Sequence, residues 1–287
     1  MQELEFKLPG GIVLAAHAYG NPDDPSVILS HGGGQTRHSW GGTAELLAKA
    51  GWYAVAYDHR GHGGSSWSED GDYHIERFAE DQLQLAKQLP GKPVLVGASL
   101  GGLSAMLAEG EHHEDVFSAI VLVDIVPRMN IAGAEKVLGF MGTHMEEGFA
   151  SLEEAADVIA EYTGRPRRDD LSGLSKNLRL DPDGRYRWHW DPSFVKQRDS
   201  RDKLTNADRL TDAVTTIDLP LLLVRGQMSN LVTPEIAEDF LRTVPHAEYV
   251  DVKDARHMVA GDKNDIFSRA ILDFLGKQNC RASAQPA

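Results

Sequence analysis

At 287 residues the chain has room for one large domain or for a core domain with an elaboration, and it needs neither disulfide nor metal to hold a core together. A formal charge of -14 argues against a general nucleic-acid binder, which needs a cationic surface. The single cysteine, Cys280, excludes intramolecular disulfides and any multi-cysteine metal site.

The opening Met1–Lys7 shows no basic stretch followed by an apolar one, so no secretory leader is read there. No apolar run approaches the roughly 18 residues of a membrane span. A cytoplasmic location is the default expectation. The first elements are two apolar-patterned segments, Leu4–Leu8 and Ile12–Ala18, around Pro9-Gly10-Gly11, and they predict a hairpin adding antiparallel strands at a sheet edge. Val27–Ser30, Tyr53–Tyr57, Val94–Val96 and Ile120–Val123 are short, apolar on both faces and bounded by Gly, Pro or polar residues, as buried strands are. Helical patterns over Trp40–Ala50, Ile75–Leu89 and Leu100–Glu109 separate them. That alternation predicts an α/β fold, a mostly parallel sheet with helices on both faces.

After Pro127 the pattern changes, and residues 128–213 read as a helical insert without a convincing buried strand. Ser151-Leu152-Glu153-Glu154 is a capping-box signature opening a helix to about Tyr162. Arg165–Asp170 and Asp181–Gly184 are loop or turn signals, and Tyr186–Trp190 holds two of the five tryptophans. Sheet pattern resumes at Leu219–Arg225. A helix from Pro234, a strand at Tyr249–Val252 and a helix from about Lys263 to Leu275 follow, with a disordered tail expected over 277–287.

Three features carry chemistry. Gly97-Ala98-Ser99-Leu100-Gly101-Gly102 sits where the strand ending at Val96 gives way to a helix. A serine on so tight a turn projects its hydroxyl, and small residues two positions either side are needed where the backbone passes close. The helix that follows directs amide N–H groups at the site. His31-Gly32-Gly33-Gly34-Gln35 follows the strand Val27–Ser30. A side-chain-free loop there supplies backbone donors for an oxyanion, the natural pair being the N–H groups of Gly33 and Leu100. His257, in the loop after the last strand, fits the chain order serine, acid, histidine and is the expected general base.

These features in this order resemble the α/β-hydrolase superfamily over roughly residues 3–127 and 214–275. Asp58–Ser65 looks like the family's loop after the next strand, and His31–Trp40 is similar to the esterase and cofactor-free haloperoxidase branch. The resemblance implies an α/β-hydrolase core (1–127 and 214–287) with a helical cap (128–213) inserted after the sixth strand. It implies a serine triad with no cofactor and no metal. The family usually places the triad acid after the strand that here is Leu221–Arg225, and the matching position holds Asn230. Three readings stay open: an engineered Asn at the acid's place, an acid supplied by Asp124 at the end of Ile120–Val123, or Asn230 itself orienting His257. Ser99 in the nucleophile's place speaks against the epoxide hydrolases and haloalkane dehalogenases, which use an Asp nucleophile.

Phe140, Met141, Phe149, Trp188, Trp190 and Phe194 are expected either to roof a pocket above Ser99 or to pack the cap onto the core. Arg185, Arg187 and His189 are expected either to bind a substrate carboxylate or to face solvent. The leading expectation is hydrolysis of a carboxylic ester, lactone or thioester of a small to medium, partly apolar acyl compound. The expected partner is thus a small-molecule substrate, with no nucleic acid and no membrane. Perhydrolysis or C–C bond hydrolysis with the same triad, and a non-catalytic ligand-binding protein on the scaffold, are the rival readings.

Overall fold

The computed structural model describes residues 1–112, 114–167, 169–198, 205–258 and 264–284. The expected hairpin forms from β1 (Gln2–Lys7) and β2 (Val13–Tyr19), antiparallel with Phe6 opposite Leu14. The four apolar runs become β3 (Ser26–Ser30), β4 (Tyr53–Tyr57), β5 (Val94–Ala98) and β6 (Ala119–Val123), every residue of them buried. Between them lie α1 (Gly41–Lys49), α2 (Ile75–Ala86) and α3 (Leu100–Gly110).

The insert contributes α4 (Ile131–Gly142), α5 (Leu152–Thr163), a short hairpin of β7 (Leu178–Leu180) and β8 (Tyr186–Trp188), and α6 (Pro192–Arg198). The serine half of the capping box is present, with Ser151 Oγ accepting the Glu154 amide at 3.2 Å, while the Glu154 carboxylate accepts the amide of Ala150, one residue before the cap. Then come α7 (Thr205–Thr215), β9 (Leu221–Gly226), α8 (Pro234–Thr243), β10 (Glu248–Val252) and α9 (Ser268–Ala284).

The sheet order is β1-β2-β4-β3-β5-β6-β9-β10, parallel from β4 through β10. Side chains alternate across it with the period of two that extended chain imposes. Ile28, Val55, Leu95, Ile120, Leu122 and Leu223 face one core shared with α2, α3, α7 and α8. Val27, Ala54, Val96, Val121 and Val224 face the other, shared with α1 and α9. Both faces being covered explains why these strands read as continuous apolar runs. A third cluster joins Tyr73, Phe78 and Leu100 of the core to Phe140, Phe149, Trp188 and Phe194 of the insert.

Two boundaries differ from expectation. Helix α7 falls inside the segment read as cap, yet Leu210, Ala213 and Val214 belong to the core cluster, and Thr216 donates to the Gly110 carbonyl at 2.7 Å. Its apolar stripe has the same period as the cap's, so sequence alone does not separate them. Helix α9 runs to Ala284, so residues 277–284 are helical where a disordered tail was expected. No described helix is long and apolar enough to cross a membrane.

Candidate active site

The chain leaves β3 for β4 on one side and then returns to place β5 on the other. Ligands of open α/β sheets bind at such a reversal, beyond the carboxyl ends of the strands. The loops after β3 and β5 are His31–Gly34 and Ser99, so topology delivers both motifs to one crevice.

Ser99 stands at φ 47°, ψ -113°, a conformation few non-glycine residues adopt. The chain around it packs too closely for side chains at three neighbouring positions. A Cβ on Gly97 would lie 2.4 Å from the Gly101 carbonyl oxygen, one on Gly101 2.5 Å from Ser30 Oγ, and one on Gly102 2.4 Å from an Ile125 methyl. The Ser99 carbonyl accepts from the amides of Gly102 and Leu103 at 2.9 Å each, starting α3 directly behind the hydroxyl.

One strand over, Asp124 follows β6 at φ 53°. That bend sends its carboxylate toward β9, where Oδ1 accepts the Gly226 amide at 3.0 Å and Oδ2 accepts the Ser229 hydroxyl at 2.7 Å. His257 Nδ1 lies 2.8 Å from the same Oδ2, and both side chains are buried. A carboxylate is an acceptor only, so Nδ1 carries the proton and the Nε2 lone pair is free to take another. The Ser99 amide donates to the Val123 carbonyl at 3.3 Å, which ties the serine's backbone to the residue before Asp124. Ser99 and His257 share no hydrogen bond among the described residues. Such bonds are often long before substrate arrives.

The loop after β3 is fixed by its own side chains. The Gly32 carbonyl accepts from His31 Nδ1 at 2.7 Å and from the Gln35 amide at 3.0 Å. Across the planar peptide the Gly33 N–H points the opposite way. Burial holds His31 neutral, its pKa lowered to about 3. Gln35 Oε1 accepts the Gly32 amide at 3.0 Å, and Gln35 reaches Asn264 at 3.3 Å. Behind the loop, the Gly34 amide donates to His62 Nε2 at 3.1 Å.

The expected roof divides in two. Met141, Trp190 and Phe194 reach the glycine loop: a Cβ on Gly33 would stand 3.2 Å from the Phe194 ring, and one on Gly34 3.2 Å from Met141 Cε and 3.3 Å from the Trp190 ring. Phe140 and Trp188 instead pack within the insert. Phe140 stacks on Tyr162 with centroids 4.1 Å apart, and Trp188 stacks on Trp190 and donates from Nε1 to the Thr143 carbonyl at 2.9 Å. Phe149 meets the Trp188 ring edge-on at 5.1 Å. Arg187 is paired with Asp181 and Asp183, and Arg185 donates to the Glu147 and Gly148 carbonyls. Those two arginines are therefore committed to contacts within the insert. His189 is buried, and its Nδ1 accepts the Gly63 amide at 2.7 Å.

Asn230 does not join the cluster. It is exposed, its carbonyl lies against Gly133, and the hydrogen bond from His257 goes to Asp124. Sequence reasoning missed Ser229, one residue earlier, which holds the carboxylate; a lone serine in a loop carries no signal. It also missed His62 as a partner of the glycine loop, although His62 lies within the Asp58–Ser65 segment that carries part of the family resemblance. No group of three or more metal-ligating side chains is found among the described residues.

A model of the family described as alpha/beta hydrolase fold matches residues 25–263 of the chain. The esterase Rv0045c of Mycobacterium tuberculosis is 32% identical over 260 residues, spanning 88% of this chain and 81% of its own. The 3-hydroxybutyrate-oligomer hydrolase of Cupriavidus necator is 26% identical over 85% of this chain and 86% of its own. Among solved structures, E-2-(acetamidomethylene)succinate hydrolase superposes with a TM-score of 0.81 at 22% identity, over 96% of this chain and 99% of that one.

Proposed function

The chain belongs to the α/β-hydrolase fold family, and we propose that within it the protein hydrolyses carboxylic esters of small to medium, partly apolar acyl compounds through an acyl-enzyme on Ser99. The observation that carries this reading is the convergence at one crevice of Ser99, on a strained strand-to-helix turn, with the buried His257–Asp124 pair. The similarity to a mycobacterial esterase supports the bond type. The apolar roof of Met141, Trp190 and Phe194 over the glycine loop supports the acyl character.

In this mechanism His257 Nε2 takes the Ser99 proton as Oγ attacks the acyl carbon. The carbonyl electron pair moves onto oxygen, which accepts from the Gly33 and Leu100 N–H groups. Asp124 balances the imidazolium that results. Collapse expels the alkoxide, which leaves as the alcohol with the proton from Nε2. A water then repeats the sequence on the acyl-enzyme, giving the acid and restoring Ser99.

The test is p-nitrophenyl butyrate hydrolysis by the unaltered protein beside Ser99→Ala, with circular dichroism of both. Loss of turnover with an unchanged spectrum is the expected result. Substantial activity left in a folded Ser99→Ala variant would sink the reading.

A further inference from the structure

Resting on Ser99 as nucleophile and Gly33 as an oxyanion donor, we propose that His62 is a positioning residue for the oxyanion loop, and that the cap holds His62 in place. The Gly34 N–H donates to His62 Nε2 at 3.1 Å, while His62 Nδ1 faces the Arg60 carbonyl at 3.0 Å. A carbonyl only accepts, so the ring is the neutral tautomer with its proton on Nδ1, and Nε2 is an acceptor. The bond fixes the peptide plane between Gly33 and Gly34. Gly34, at φ 76°, has no side chain of its own to hold that plane. His31 and Gln35 fix the plane before Gly33, so His62 completes the restraint on the residue whose N–H meets the oxyanion.

His62 is buried, and its own loop is anchored from both sides. On the core side, Arg60 makes a two-point contact with Asp81 of α2, at 2.7 and 2.6 Å. From the cap, His189 Nδ1 accepts the Gly63 amide at 2.7 Å, and the Asp191 amide donates to the Gly61 carbonyl at 2.8 Å. Tyr73 closes the arrangement by donating to Asp191 at 2.7 Å. Phe194 touches both ends of the relay. Its ring meets that of His62 edge-on at 4.7 Å and lies over Gly33. The cap segment 189–194, which roofs the crevice, therefore also sets the geometry of the oxyanion donors beneath it.

Two variants separate an acceptor's role from that of a filler. His62→Phe keeps the ring and removes the acceptor; His62→Gln keeps an acceptor near Nε2. His62→Phe is expected to lower kcat about 10- to 100-fold with KM within about twofold, because a misplaced donor acts on the transition state and not on ground-state binding. It is expected to weaken a trifluoromethyl ketone, which presents an oxyanion, by a similar factor. His62→Gln is expected to stay within about threefold of the unaltered protein in both. Equal losses in the two variants, a loss confined to KM, or no loss in His62→Phe would overturn the proposal.

A measurement on the unaltered protein needs no variant to fold: a scalar coupling between the Gly34 and His62 Nε2 nitrogens in a ¹⁵N-labelled sample. Its presence is expected, and its absence would overturn the proposal. If unaltered protein shows no Ser99-dependent turnover, the catalytic reading falls and takes the positioning role with it. If turnover is normal and the coupling absent, only the role of His62 falls.

Discussion

His257 Nδ1 reaches Asp124 Oδ2 at 2.8 Å across 133 residues of chain, from the loop after β10 to the end of β6. The loop after β9, which carries Asn230, does not supply the partner. Instead, the last residue of β9 and that loop each supply one donor, Gly226 N–H and Ser229 Oγ–H, and the two hold Asp124 in place.

Asp124→Asn is expected to lower kcat by about 10⁴, as the same change does in serine protease triads where the imidazole is left in the wrong tautomer. Asn230→Asp, at an exposed position, is expected to change kcat by less than about twofold, within the range of surface substitutions away from a site. The two variants measured side by side on p-nitrophenyl butyrate give the check. A gain of orders of magnitude in Asn230→Asp would return the acid to the β9 loop.

Ser229→Ala should act mainly on stability. The hydroxyl donates to Asp124 Oδ2 and accepts the amides of Leu231 and Val232, each at 3.2 Å. Its loss leaves buried partners unsatisfied, at a cost of about 1–3 kcal/mol. Gly226 and His257 still hold the carboxylate, so kcat is expected to fall by less than about tenfold, a modest loss of transition-state stabilisation. Urea unfolding and steady-state kinetics on one preparation separate the two effects.

The sequence was most legible where one element's own pattern decides its place. Buried strands β3 to β6 and β9 show as apolar runs, and Ser99 and the His31–Gly34 loop show because tight turns demand glycines at fixed offsets. What pairs with what across long separations was not legible. Asp124 and Asn230 sit at the ends of neighbouring strands, and choosing between them takes the side-chain direction that φ 53° gives Asp124. Met141 and Phe140 are adjacent in one helix, yet one touches the glycine loop and the other stacks on Tyr162. Helix α7 shares the insert's amphipathic period while packing on α3, a distinction that only the third dimension carries.

Glycine substitutions should divide by what a Cβ would meet. Gly97→Ala places a methyl 2.4 Å from the Gly101 carbonyl oxygen and 2.5 Å from its carbon, both backbone atoms at the start of α3. Relief requires moving the helix off the strand, so a loss of about 3 kcal/mol or failure to fold is expected. Gly139→Ala, exposed in α4 with nothing within 4 Å, is expected to stabilise by about 0.5–1 kcal/mol through helix propensity. Thermal melts of the two variants against the unaltered protein provide the comparison.

Stability should fall on mild acidification because buried histidines cannot take up protons until the chain unfolds. Burial lowers His31 from 6.5 to about 3 and holds His189 well below the same ordinary value. As pH drops through 6.5 the unfolded chain binds protons at both positions while the folded one does not, so the contribution is intact above that pH and is lost progressively below it. For His31 the loss continues to about pH 3. Each such histidine contributes a slope of about 1.4 kcal/mol per pH unit once the unfolded state is protonated there. Burial raises Asp58 and Asp81, which acts with the opposite sign, but each is in direct contact with an arginine that favours its ionised form. Unfolding free energies from urea titrations at pH 7.5, 6.5, 5.5 and 5.0 are expected to be flat between the first two and to drop steeply over the last two. A profile that stays flat to pH 5.0 would mean that these imidazoles take up protons without unfolding, and that the hydrogen bonds His31 Nε2 and His189 Nδ1 accept from His59 and Gly63 can be broken at little cost.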